Sequence, residues 1–250
     1  MSVFSKKYPI FVLNMLSTSQ LSIGYGTKAL LSGLYLLLNK GELVCLIGRN
    51  GCGKSTLIRT LAMLQTPQGG EMFIDGKNVR KLPVQQRARL VSVVLTERTD
   101  TGMMRTGELV ALGRYPHTDL FGKLTAEDGQ IIDGALKAVN LADKKQHLVA
   151  ELSDGERQKA MIARAVAQDA PVIILDEPTS HLDVPNRIEI MSLMRRLAKE
   201  MNKAVLLSTH EPDLALQNAD RLWLMDKNTV ESHPASEWTA EKIKNWLLER

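Results

Sequence analysis

Apolar residues fall into two patterns along this chain. The runs at 43–47, 90–95, 172–175 and 204–208 are apolar throughout rather than alternating. That pattern predicts parallel strands covered on both faces. The runs at 20–23, 34–38 and 71–74 are instead broken by Gly24-Tyr25-Gly26, Asn39-Lys40-Gly41 and Asp75-Gly76, which predicts antiparallel strands with hairpin turns. A further strand is expected at 221–225. From about 106 to 167 helical periodicity takes over. Thr125-Ala126-Glu127-Asp128 opens one helix, with Ile131, Ile132, Ala135 and Val139 on a common face. The tail, 232–250, reads as a short helix packing Trp238, Ile243, Trp246 and Leu247 on the core. The pattern as a whole is an α/β core interrupted by a helical insertion.

Chemistry enters where the first buried run ends. Gly48-Arg49-Asn50-Gly51-Cys52-Gly53-Lys54-Ser55-Thr56 fits G-x-x-x-x-G-K-[ST] between a strand and a helix, the context that makes it a phosphate loop rather than a glycine-rich turn. Glycines let backbone N–H groups approach phosphate oxygens, and the helix N-terminus adds a favourable dipole. Lys54 would reach the terminal phosphates and Ser55 would ligate Mg²⁺. The run at 171–180, Pro-Val-Ile-Ile-Leu-Asp-Glu-Pro-Thr-Ser, ends a strand in two carboxylates. Asp176 can hold Mg²⁺ through water, and Glu177 can polarise a water for attack on the γ-phosphate. Together these segments imply hydrolysis of a nucleoside triphosphate.

Leu152-Ser153-Asp154-Gly155-Glu156-Arg157-Gln158 resembles the signature of ATP-binding cassette (ABC) ATPases, and also reads locally as a capping box between Ser153 and Glu156. The resemblance implies a P-loop NTPase with a RecA-like α/β core, an antiparallel β subdomain and an inserted α-helical subdomain. The expected layout is a single domain over 1–250, its core at 17–96 and 168–250 and the helical subdomain at 97–167. It implies ATP as nucleotide, with Tyr25 stacking on adenine, although a lone aromatic would serve equally in a core. Ser153, Gly155 and Glu156 would meet the γ-phosphate bound by a second copy in a head-to-tail dimer. Asp183, in Ser180-His181-Leu182-Asp183, is similar to the loop linking the two sites, and His210 to the switch histidine at the γ-phosphate. Glu97 is expected where the family carries a metal-ligating Gln; the alternative is a surface residue in a shifted register. Asp154 and Glu156 replace the usual Gly and Gln, which predicts slow basal turnover and a weak ATP-bound dimer. Cys52, inside the phosphate loop, is expected to make the protein sensitive to alkylation.

Composition narrows the partners. With 44% hydrophobic and 24% charged residues in 250, the chain has ample core. The net charge of +4 comes from scattered Lys and Arg, a solvated surface rather than a nucleic-acid patch. Two cysteines fit a reducing compartment. No apolar run approaches the roughly 20 residues a membrane span needs. Residues 8–16 follow Lys6-Lys7 but lack a small-residue cleavage site, so an extra strand or a start near Met15 is expected rather than export. The segment 108–117, Glu-Leu-Val-Ala-Leu-Gly-Arg-Tyr-Pro-His, resembles one frequent in ATPases of iron-chelate, haem and cobalamin importers. There Leu109, Leu112 and Tyr115, with Arg114 beside them, would receive a permease helix, or else pack the insertion's own core. The implied partners are a second copy, two transmembrane permease subunits and, indirectly, a substrate-binding protein. The implied location is the cytoplasmic face of the bacterial inner membrane. The alternative is a non-transport ABC ATPase acting with a soluble protein or nucleic acid.

Overall fold

The computed structural model describes residues 14–26, 28–96, 101–119 and 121–249. From its first described residue the chain forms β1 (Asn14–Tyr25), β2 (Lys28–Leu34), β3 (Leu37–Asn39) and β4 (Leu43–Gly48), then α1 (Lys54–Leu61). It continues through β5 (Gly69–Ile74), β6 (Lys77–Asn78), α2 (Val84–Ala88) and β7 (Val91–Val94). The helical segment holds α3 (Thr106–Ala111), α4 (Ala126–Ala138) and α5 (Asp154–Ala167). The chain then returns through β8 (Val172–Leu175), α6 (Val184–Lys199), β9 (Ala204–Ser208), α7 (Pro212–Asn218), β10 (Arg221–Met225), β11 (Val230–Pro234) and α8 (Ala240–Glu249).

The four uninterrupted apolar runs lie side by side. Spatial order in the larger sheet is β11-β10-β4-β9-β8-β7, parallel throughout except for β11 at the edge. β4 shows why such strands do not alternate in polarity. Leu43, Cys45 and Ile47 enter one core, shared with α3 to α6, while Val44 and Leu46 enter a second, shared with α1 and the other sheet. β8 divides in the same way, Ile173 and Leu175 to the first core, Val172 and Ile174 to the second. Both faces are buried, so both kinds of position must be apolar.

The smaller sheet, β2-β1-β5-β6 with β3 also on β1, is antiparallel as expected. β1 is far longer than the expected 20–23 and is kinked by register shifts around Gln20, whose φ is 53°. A Cβ on Gly70 would lie 2.2 Å from the carbonyl oxygen of Gln20, so the kink requires glycine opposite it. β2 precedes the expected 34–38 run, and β6 and β11 were not foreseen in the sequence. Of the 8–16 run, residues 14–16 begin β1 and residues 8–13 lie outside the described residues.

The insertion is pinned from within. Arg114 donates from Nε to Asp128 Oδ1 (2.8 Å) and from Nη1 to the carbonyl of Ala167 (2.8 Å), both side chains buried. This fastens the start of α4 to the end of α5. The N–H of Thr125 and the Arg114 guanidinium hold the Asp128 carboxyl down at about 2. Among the described residues, no helix is long and apolar enough to cross a membrane.

Candidate nucleotide site

At the end of β4 the chain must turn in very little room. Gly48 pairs with Met225 of β10, and a Cβ there would lie 2.3 Å from the Met225 carbonyl oxygen. Gly51 (φ 77°) and Gly53 (φ 107°) take left-handed conformations that curl the loop back on itself. Gly53 is the N-cap of α1 and offers no side-chain acceptor, which leaves the first-turn N–H groups to an anion. Lys54 is buried and donates to the carbonyls of Gly48 (2.8 Å) and Arg49 (3.2 Å). Burial pushes its pKa down, while the nearby Glu177 and Asp176 carboxylates act in the opposite direction.

Tyr25, Asn50, Lys54, Ser55, Thr56 and Glu177 line a single cleft. Residues from three distant stretches of sequence therefore converge on the loop. Tyr25 is 58% exposed, which removes the reading of it as core. Its hydroxyl accepts from Thr56 Oγ1 at 3.0 Å, fixing the ring over the cleft. Gln65 and Gln68 donate to the carbonyls of Gly24 and Gly26 and brace the turn that carries it.

The two carboxylates are set by β9, the neighbour of β8. Ser208 Oγ donates to Asp176 Oδ1 at 2.7 Å and accepts the Glu177 N–H at 2.8 Å. Ser208 was not singled out from the sequence, where it closes an apolar run. Glu177 has a φ of 47°, a left-handed conformation that costs a residue with a Cβ about 1–3 kcal/mol. Ser180 helps to hold it there, with both its N–H (3.1 Å) and its hydroxyl (2.9 Å) on the Glu177 carbonyl. The strained backbone presents the carboxylate to His210, whose Nε2 lies 2.6 Å from Glu177 Oε1. The expected Glu97 lies outside the described residues. Its neighbour Thr96 donates from Oγ1 to the carbonyl of Asp176 at 2.9 Å, a contact the sequence did not suggest.

Ser153, Gly155, Glu156 and Asp183 are not among the described residues lining that cleft. They form a second unit. Ser153 Oγ accepts the Glu156 N–H (3.2 Å), and Glu156 Oε2 accepts the Ser153 N–H (2.9 Å), which is the capping box expected for α5. The Ser153 N–H, more than Lys144, lowers the Glu156 pKa. Asp183 caps α6 and holds Asn186 through its N–H (3.1 Å) and its amide (2.6 Å). The Asn186 side chain lies where a Cβ on Gly155 would need to be, 2.5 Å away, so glycine allows the two segments to meet.

Two expectations change. Leu109 and Arg114 are buried in the insertion, so the docking strip shrinks to half-buried Leu112 and to Tyr115, 59% exposed. Cys52 is also buried, and burial pushes its thiol up, so little thiolate is on offer to an alkylating agent.

Residues 31–180 match the family described as ABC transporter. An uncharacterised ABC transporter ATP-binding protein of Methanocaldococcus jannaschii is 46% identical over 216 residues, covering 86% of this chain and 74% of that protein. The iron(3+)-hydroxamate import ATP-binding protein FhuC of Bacillus subtilis is 35% identical over 218 residues, covering 87% and 81%. Among solved structures, a dimeric ATP-binding cassette in a post-hydrolysis state with ADP and phosphate superposes with a TM-score of 0.74 at 26% identity, covering 88% of this chain and 99% of that one.

Proposed function

The chain belongs to the ABC transporter ATP-binding family, and we propose that it is the ATPase subunit of an importer for an iron chelate. Two copies would work head to tail beneath two separate permease subunits, fed by a substrate-binding protein and peripheral to the membrane. One observation carries the catalytic reading: Glu177 and His210 meet at 2.6 Å, and Glu177 lines the cleft shared by Lys54 and Tyr25. The iron-chelate reading is supported by the similarity to FhuC and by the 108–117 segment.

The donor set suits Mg²⁺. Among the described residues there is no group of three or more His, Cys, Asp or Glu side chains able to hold a metal ion. A hydroxyl, a carboxylate and phosphate oxygens are what Mg²⁺ commonly accepts. Ser55 and Asp176 would hold it, and when bound it neutralises charge between the phosphates. Lys54 turns from the loop carbonyls to the terminal phosphates. Tyr25 stacks on the base and Thr56 keeps the ring in place. Glu177 Oε accepts the proton of the attacking water, while His210 orients that carboxylate. Ser153 and the backbone of Gly155, from the second copy, would close on the γ-phosphate. That closure, passed to the permease, would drive transport.

The test is co-purification with a candidate iron-chelate permease and its binding protein, followed by uptake of ferric hydroxamate into vesicles loaded with ATP. Uptake should depend on ATP and be lost in Glu177→Gln, with phosphate release reduced on the order of 1,000-fold. Permease-independent ATPase activity stimulated by DNA or by ribosomes would overturn the importer reading.

A further inference from the structure

The last helix reaches the phosphate loop. α8 buries Ile243 completely and lays Trp246 and Leu247 against the core. Trp246 also lines a small cavity with Arg49, Asn50 and Cys52 of the loop and with Met225 and Asp226 at the end of β10. One side of this cavity is rigid. Met225 pairs with Gly48, and the Asp226 carboxylate accepts the N–H groups of Asn228 (2.7 Å) and Thr229 (2.8 Å), which fixes the turn after β10. The other side, Arg49 and Asn50, is the exposed limb of a glycine-rich loop. Trp246 lines the same cavity, facing both. α8 also packs against α7, whose Leu214 and Leu216 share its core, and α7 begins two residues beyond His210.

We propose that Trp246 is a positioning residue for the nucleotide, its indole bracing the Arg49–Asn50 limb while α8 ties that brace to the segment behind His210. The proposal rests on residues 48–56 being the phosphate site. Its physical basis is entropic. Fixing one backbone residue costs about 1–2 kcal/mol, and a loop with glycines at 48, 51 and 53 has much freedom to lose when it closes on a triphosphate. A wall that limits the loop beforehand lowers that cost on binding. It makes no contact that changes during the reaction, so it acts on KM rather than on kcat.

The experiment uses the full chain with steady-state phosphate release. Trp246→Ala should raise KM for ATP about fivefold and leave kcat within about twofold, and Trp246→Phe, which keeps a ring, should restore most of the loss. Emission gives an independent reading. In Trp238→Phe, where Trp246 and the fully buried Trp223 remain, ATP should change the emission, and adding Trp246→Phe should abolish the change. An unchanged KM in Trp246→Ala, or no emission change while labelled ATP is seen to bind, overturns the proposal. Should Trp246→Ala fail to fold, the Trp246→Phe protein and the emission series decide. If the wild-type chain itself binds no ATP, or Lys54→Ala binds it equally well, the phosphate site is what has failed.

Discussion

Two helix tips in this molecule are built for opposite circumstances. The tip of α1 is preceded by Gly53, supplies no side-chain cap and sits beside a buried ammonium. The tip of α5 is preceded by Ser153 and is already capped: the Ser153 hydroxyl takes the Glu156 N–H, the Glu156 carboxylate takes the Ser153 N–H, and Glu156 provides the negative charge the helix dipole favours. The first needs an anion to be satisfied. The second, in the proposed pair, would meet one against a like charge. In the proposed head-to-tail pair the two tips would contribute unequally to one triphosphate, the loop with α1 supplying affinity and the α5 tip a contact easily withdrawn. Such asymmetry suits a machine that must open again after each cycle.

The sharpest way to break the comparison is at Lys54. Removing the ammonium leaves the glycine loop and the helix dipole but takes away the fixed cation, so Lys54→Ala should reduce phosphate release on the order of 100-fold. Turnover close to wild type would mean that the α1 tip suffices by itself, and that the two tips differ less than their caps suggest.

A smaller effect is expected where α5 is anchored. Arg114→Ala leaves the buried Asp128 carboxylate without its guanidinium, a loss of about 3 kcal/mol readable as a lower urea midpoint. The acid side is informative too. The Asp128 carboxyl is held at about 2 in the fold, below its ordinary value near 4. Its contribution to stability is therefore complete above about pH 4 and is lost as the pH falls from there towards 2. Asp128→Asn should flatten this acid limb, and an unchanged acid profile would show that the pair is not what fastens the helix.

The sequence revealed the central sheet because strands buried on both faces leave nothing polar to hide them. It revealed the phosphate loop because the glycine and lysine spacing sits within ten residues of chain. β11 escaped because Val230-Glu231-Ser232-His233-Pro234 has no buried residue; backbone pairing with β10 makes it a strand, and that leaves no apolar trace. Ser208 escaped for a different reason. Its two bonds exist only because β9 lies beside β8, with Leu207 opposite Leu175, and no local pattern encodes that neighbour. Arg114 is expected beside a docking strip or in the insertion's own core, and its partner becomes visible only once α4 places Asp128, 14 residues on, within hydrogen-bond reach. The contact between Asn186 and Gly155 is of the same kind, set by packing across the fold rather than by any run of residues.

The finest test is Glu156→Gln, because it changes the α5 tip by one charge and, with it, only the 3.6 Å ion pair to Lys144. Glutamine serves the capping box as glutamate does, so the N–H of Ser153 keeps its acceptor and the cost in stability should stay near 0.5 kcal/mol, the loss of a charge at the dipole. The incoming phosphate, however, no longer meets a carboxylate whose pKa the Ser153 N–H holds low. ATP-dependent pairing of two copies should then strengthen by roughly threefold, seen as phosphate release that rises more steeply with protein concentration. The effect should shrink at high salt, since this edge of the helix is open to solvent and its charges are screened. If release follows the wild-type curve at every concentration and salt, then the acid at this tip does not oppose a phosphate. Glu156 would be a cap and nothing more, and the weakness of the second contact would have to lie elsewhere, with Asp154 as the next side chain to neutralise.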